Sequence, residues 1–219
     1  MRRRSIAAVV VPAAFIAVSH PALATAATVP TCHGRAATIV GTSGADVIHG
    51  TPHADVIVSL GGADTIRARG GRDLVCAGAG NDKVYGGSGA DTLVGARGAD
   101  HLVGGSGQDV ENGNRGDDEL SGGADADELN GGAGDDVENG NGGDDQVEGD
   151  QGDDELSGGY GDDDVQGDEG NDVLEGDQGD DTLQGDQGED VQDGGDGTDQ
   201  CAGSATCDDD DSQGDEDNQ

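Results

Sequence analysis

Cut every nine residues from Gly41, the chain divides into 18 consecutive nonapeptides, GTSGADVIH, GTPHADVIV, SLGGADTIR and so on to Ala202, with no insertion or deletion. A period this strict restricts the fold to something built by repetition, in which each unit contacts only its neighbours. The sixth position is aspartate in every unit: Asp46, Asp55, Asp64, Asp73, Asp82, Asp91, Asp100, Asp109, Asp118, Asp127, Asp136, Asp145, Asp154, Asp163, Asp172, Asp181, Asp190 and Asp199. The fourth is glycine except at His53 and Asp125, and the first is glycine except at Ser59, Ala68 and Ala77. The eighth is aliphatic in 14 of the 18 units. Composition taken alone argues for disorder, since the net charge is −38 and the chain has 44 glycines and no Trp. A tail without structure has no reason to hold one register through 18 units, so the periodicity overrides the composition.

Each unit reads as a six-residue turn, with glycine where positive φ or close backbone approach is needed, followed by a three-residue strand of the form x-apolar-x. Strand side chains alternate, so the eighth residue points to one face while its neighbours point to the other. One aliphatic per unit cannot bury a face alone, and the units must coil and stack. With two units per turn, units i and i+2 lie at the strand spacing of ~4.8 Å, which gives nine turns in a rod roughly 40 Å long. The aspartates then form two columns. Carboxylates ~4.8 Å apart repel by about 3–4 kcal/mol at an effective dielectric of 20, and the thin core does not offset this at every turn. A hard divalent cation reverses the sign. Calcium accepts six to eight oxygens in flexible geometry, which suits aspartates and glycine-turn carbonyls better than the tight octahedron of magnesium does.

The unit GGSGADTLV, Gly86 to Val94, resembles the G-G-x-G-x-D-x-U-x nonapeptide of the RTX, or haemolysin-type calcium-binding, family. The resemblance covers residues 41–202 and implies an all-β parallel β-roll, a β-solenoid of 18 repeats in about nine coils. It implies calcium ions held in the turns by the position-six aspartates and main-chain carbonyls. Glu111, Glu138 and Gln192 depart from the pattern at the eighth position, each preceded by valine. Either those units are shifted by one residue or a polar group faces inward. His53 and Asp125 are milder departures at the fourth position.

The first 24 residues read as a secretory signal peptide: Arg2, Arg3 and Arg4, an apolar run from Ile6 to Val18, then small-residue sites that allow cleavage after Ala24 or Ala26. The alternative, a membrane anchor, is disfavoured because the run is shorter than the ~20 residues of a span and Pro12 interrupts it. No later stretch is apolar enough to cross a bilayer. The mature chain is therefore expected to be secreted, where calcium is plentiful and disulfides persist. Residues 25–40 are expected to cap the roll and 203–219 to form a mobile acidic tail. A nine-turn rod keeps Cys32 and Cys76 at one end and Cys201 and Cys207 at the other, which favours the pairings Cys32–Cys76 and Cys201–Cys207.

The two halves differ. Through Gln108 there are seven acidic residues, all at position six, whereas 41 follow, against the single basic Arg115. The early units also carry extra aliphatics expected to face outward, including Val47, Val56, Val58, Val94 and Val103. The N-terminal half is thus expected to fold at lower calcium. No nucleophile elbow, zinc-protease motif, phosphate loop or EF-hand spacing is present, and paired carboxylates such as Asp117-Asp118 lack an apolar wall to separate their pKa values. His49 and His53 could share a transition metal, or be surface residues. The expected function is non-enzymatic calcium binding outside the cell. The runner-up is a calcium-dependent cell-surface or matrix adhesin with a cell-envelope partner; the negative surface excludes nucleic acid.

Overall fold

The computed structural model describes residues 29–202. The first three strands are β1 (Thr31–Cys32), β2 (Arg35–Ala36) and β3 (Ile39–Val40). Eighteen more follow, one per nonapeptide, from β4 (Val47–His49) and β5 (Val56–Val58) to Gln200–Ala202. They alternate between two parallel sheets of nine and ten strands, β3 entering the ten-stranded one, and every strand pairs with the strand 18 residues away. This is a parallel β-solenoid of about nine coils. Among the described residues no helix is long and apolar enough to cross a membrane.

The sequence predicts three-residue strands, but most strands here have six. Pairing runs through positions seven, eight and nine, skips position one of the next unit, and resumes at positions two and three, as in Val103↔Ser121 followed by Gly105↔Gly123. From the third unit on, position two sits at positive φ, which glycine adopts freely and which Asn and Asp tolerate, as at Asn114, Asn141, Asp150 and Asp177, and which Leu60, Arg69 and Ala96 also adopt. The turn proper is therefore only positions four to six.

The core is one column per sheet. Ile48, Ile66, Val84, Leu102, Leu120, Leu156 and Leu174 line the nine-stranded sheet, facing Ile57, Val75, Leu93, Leu129, Val147, Val165 and Leu183. Register is kept through all three exceptional units. Glu111 pairs with Leu93 and Leu129, Glu138 with Leu120 and Leu156, and Gln192 with Leu174. No unit is shifted, and the polar side chains face inward, each no more than 2% exposed.

A second apolar cluster lies outside the roll. Val56 and Val58, expected to face solvent, are instead buried with Cys32 and Leu74, and Ala37 and Cys76 pack against them. The cause is the β1–β2 hairpin, which lies against the outer face of the ten-stranded sheet and is pinned there by the Cys32–Cys76 disulfide. Val47, by contrast, is exposed, as expected. The other expected pairing involves Cys207, which lies outside the described residues, as do the leader and the acidic tail.

Candidate metal centre

The turn geometry places each position-six aspartate beneath the turn rather than on the surface, and all from Asp46 to Asp190 are buried. Within a column each carboxylate is fixed by the preceding coil. The backbone N–H of one aspartate donates to Oδ1 of the aspartate 18 residues on, at 2.6 Å for Asp118 to Asp136 and at most 3.1 Å, for Asp172 to Asp190. The stacking predicted from the period thus holds residue by residue.

What remains is the other oxygen. The Oδ2 atoms of the sixteen aspartates from Asp64 to Asp199 are buried with no hydrogen-bond partner among the described residues. Asp46 and Asp55 differ, because a threonine occupies position two of their units. Asp46 Oδ2 accepts from Thr42 N–H at 2.6 Å and from its hydroxyl at 3.0 Å, and Asp55 Oδ2 accepts likewise from Thr51 at 2.7 and 2.9 Å. Sequence reasoning missed this distinction, although the Thr-x-x-x-Asp spacing of the first two units carried it.

An orphaned buried carboxylate oxygen is destabilising unless something charged reaches it. Burial is the main reason these groups stay protonated above the usual carboxylate range. The N–H from the preceding coil pulls the other way, and neighbouring carboxylates push up further. Asp73, Asp82, Asp91, Asp109, Asp118, Asp136 and Asp181 are pushed up to about 6, and Asp100, Asp127, Asp154 and Asp163 to about 7.

Main-chain oxygens share the same space. A Cβ built on Gly86 would meet Asp91 Oδ2 and Gly104 O at 2.7 Å each. At Gly170, Asp172 Oδ1 lies 2.7 Å from that position, and the Gly152 carbonyl of the preceding coil intrudes closer still. Both carboxylate oxygens therefore meet carbonyl oxygens in cradles that only glycine leaves open. An Oδ2 that has no donor and lies beside main-chain carbonyl oxygens is the ligand chemistry of a hard cation, and the oxygen set fits calcium. Asp125, the aspartate at position four, fits its turn by adopting φ 75°, and its Oδ2 accepts from Gly107 N–H at 3.1 Å. His53 belongs to a threonine-closed turn, where positive φ is not used.

The two core glutamates are unlike each other. Glu111 Oε2 accepts from Ser121 N–H at 3.2 Å and its Oε1 has no partner, whereas both oxygens of Glu138 lack one. Burial, then the charges of Asp136 and Asp154, hold Glu138 well above the usual range. Gln192 resolves differently: its Nε2 donates to the Ala202 carbonyl at 3.0 Å, which ties the last coil together.

One group the sequence reading did not single out lies on the outer face of the ten-stranded sheet. Glu148, Asp150 and Asp168 bring ligand-type oxygens within 4.8 Å of one another. Asn130 donates to Glu148 at 3.2 Å and to Asp150 at 2.8 Å. The signal was an acidic position nine followed by aspartate at position two.

A family model for the RTX calcium-binding nonapeptide repeat matches residues 34–66, 49–84, 77–111, 112–138, 139–174 and 166–201. No curated protein sequence matches the chain. With the model spanning nearly the whole solenoid, the chain belongs to the family of RTX calcium-binding nonapeptide-repeat proteins.

Proposed function

We propose that this is a secreted, non-enzymatic protein whose activity is calcium binding coupled to its own folding. The observation that carries the reading is the set of sixteen buried, partnerless Oδ2 atoms, which at Asp91, Asp109, Asp118, Asp145 and Asp181 share their space with a main-chain carbonyl of the next coil. A cation that binds only the stacked coil contributes its binding free energy to folding. Calcium supplies the charge that the aspartate columns lack, while the residues of the chain bring the coils into register and exclude water from the cradles. On this reading Asp64 to Asp199 are the ligands. Asp46 and Asp55, closed by Thr42 and Thr51, serve as structural turns. Export by the N-terminal leader places the chain where calcium is abundant.

Circular dichroism of the full-length mature chain with calcium and with chelator, run beside a calcium titration, tests this. Expected are β structure that develops with calcium and binding of several ions per chain. Full β structure in chelator at neutral pH, or binding of fewer than a few ions, overturns it.

A further inference from the structure

Position eight is where the repeat needs an apolar residue, and Glu138 stands there between Leu120 and Leu156 in the ladder. It is 1% exposed, and neither carboxylate oxygen has a hydrogen-bond partner. The side chain folds back toward position one of its own unit. Glu138 Oε1 and Asp136 Oδ2 occupy the same space, that of a Cβ on Gly131, and Asp136 Oδ2 is itself partnerless. Three acceptor oxygens, two from Glu138 and one from Asp136, thus meet in a dry interior, where the Gly131 N–H lies near Glu138 but outside hydrogen-bond geometry.

We propose that Glu138 is a cation ligand inside the roll, holding together with Asp136 a hard divalent cation, calcium foremost, at a site the nonapeptide pattern does not contain. A shared proton is the simplest alternative. One proton between Glu138 and Asp136 satisfies two oxygens and leaves the third with only the poorly aligned Gly131 N–H, whereas a cation of flexible coordination engages all three. Asp136 Oδ1 is already committed to the Asp118 N–H at 2.6 Å, which fixes the aspartate half of the site. Asp154, from the next coil, adds negative charge to the same locus. Glu111 has one oxygen taken by Ser121 N–H and so offers less, which makes it an internal comparison.

The inference rests on the reading that the aspartate columns bind calcium, and the experiment separates the two. Calcium isotherms are measured for the full-length chain, for Glu138→Leu, which restores the apolar residue of the repeat, for Glu138→Gln, which keeps the volume, and for Asp100→Asn. Asp100 is a column aspartate whose unit carries Leu102. Expected is the loss of one bound calcium, or at least a tenfold weakening of one binding step, in both Glu138 variants, with the β signal in saturating calcium retained. A wild-type isotherm in both Glu138 variants overturns the proposal. If Asp100→Asn loses a site in that same experiment, the column reading stands without it. If the wild-type chain binds no calcium, both fall.

Discussion

Removing calcium should make this protein acid-stabilised, against the usual behaviour of an acidic chain. The Asp82 carboxyl is raised from 3.8 to about 6 by burial in the stacked coil, and ten other column aspartates to about 6 or 7. Between pH 3.8 and the folded values the coil binds protons that the unfolded chain has released. Stability therefore falls as pH rises through that window, and the full contribution is present only below the unfolded pKa. A two-unit shift is at most about 3 kcal/mol per group by pH 8, less where solvent screens the carboxylate, and lowering the pH to 4 restores up to about 2 kcal/mol of it. A few such groups match the roughly 5–15 kcal/mol of a whole domain.

Far-UV circular dichroism of the decalcified chain should show little β structure at pH 8 and substantial β structure near pH 4. Because acid also relieves surface repulsion, a sample at pH 8 in 1 M NaCl provides the comparison. Salt screens exposed charges but not buried ones, so it should recover much less structure than acid does. With calcium present the dependence reverses, since protons compete for the same oxygens and affinity should fall below about pH 6. A decalcified chain at least as structured at pH 8 as at pH 4, or one that salt refolds as fully as acid, would refute the buried-column argument.

Gly107 sits at φ +111°, where a Cβ would lie 2.7 Å from the Gly89 backbone, so Gly107→Ala should destabilise the calcium-bound form by about 2 kcal/mol or more. Gly44→Ala meets nothing within 4 Å and should stay within about 0.5 kcal/mol in the same thermal melts. Asp46→Asn should leave the calcium stoichiometry unchanged and cost about 1 kcal/mol, because Thr42 already satisfies that oxygen. Replacing Cys32 and Cys76 by serine opens a 44-residue separation and should remove about 4 kcal/mol, read as a drop in the melting midpoint under non-reducing conditions. Hydrogen exchange across a calcium titration should protect residues 39–76 at lower calcium than residues 155–193; simultaneous protection would contradict the difference between the halves.

The period, the two-unit coil, the inward column and the stacking of the aspartates were legible because every unit states the same local preferences and only one stacking register satisfies them all. The six-residue strands were not, because pairing at positions two and three depends on the neighbouring coil rather than on the unit. Val56 and Val58 misled for a related reason. Alternation correctly put them on the outer face, and only a non-repeating segment, the β1–β2 hairpin, covers that face. Glu138 and Gln192 were visible as anomalies in sequence. Their different outcomes, one orphaned beside Asp136 and one donating to Ala202, depend on what each coil places opposite them.

Glycine and aspartate act here as one device. Position-four glycines bring successive turns so close that each carbonyl intrudes where the next Cβ would be, and that approach gathers carbonyl oxygens around the carboxylates. Where position one is not glycine, at Ser59, Ala68 and Ala77, the residue is buried, and both alanines join the apolar column. Those three units follow directly on the two threonine-closed turns, in the part of the rod covered by the hairpin and disulfide. Farther along, position one is glycine throughout, the covering cluster is gone, and Glu111, Glu138 and Gln192 thin the apolar column. Cohesion therefore passes along the rod from apolar contact and covalent closure to oxygen cradles that need a counterion. If calcium is that counterion, as proposed, a fold built this way has a fixed end from which each coil presents the next with carboxylates already in register.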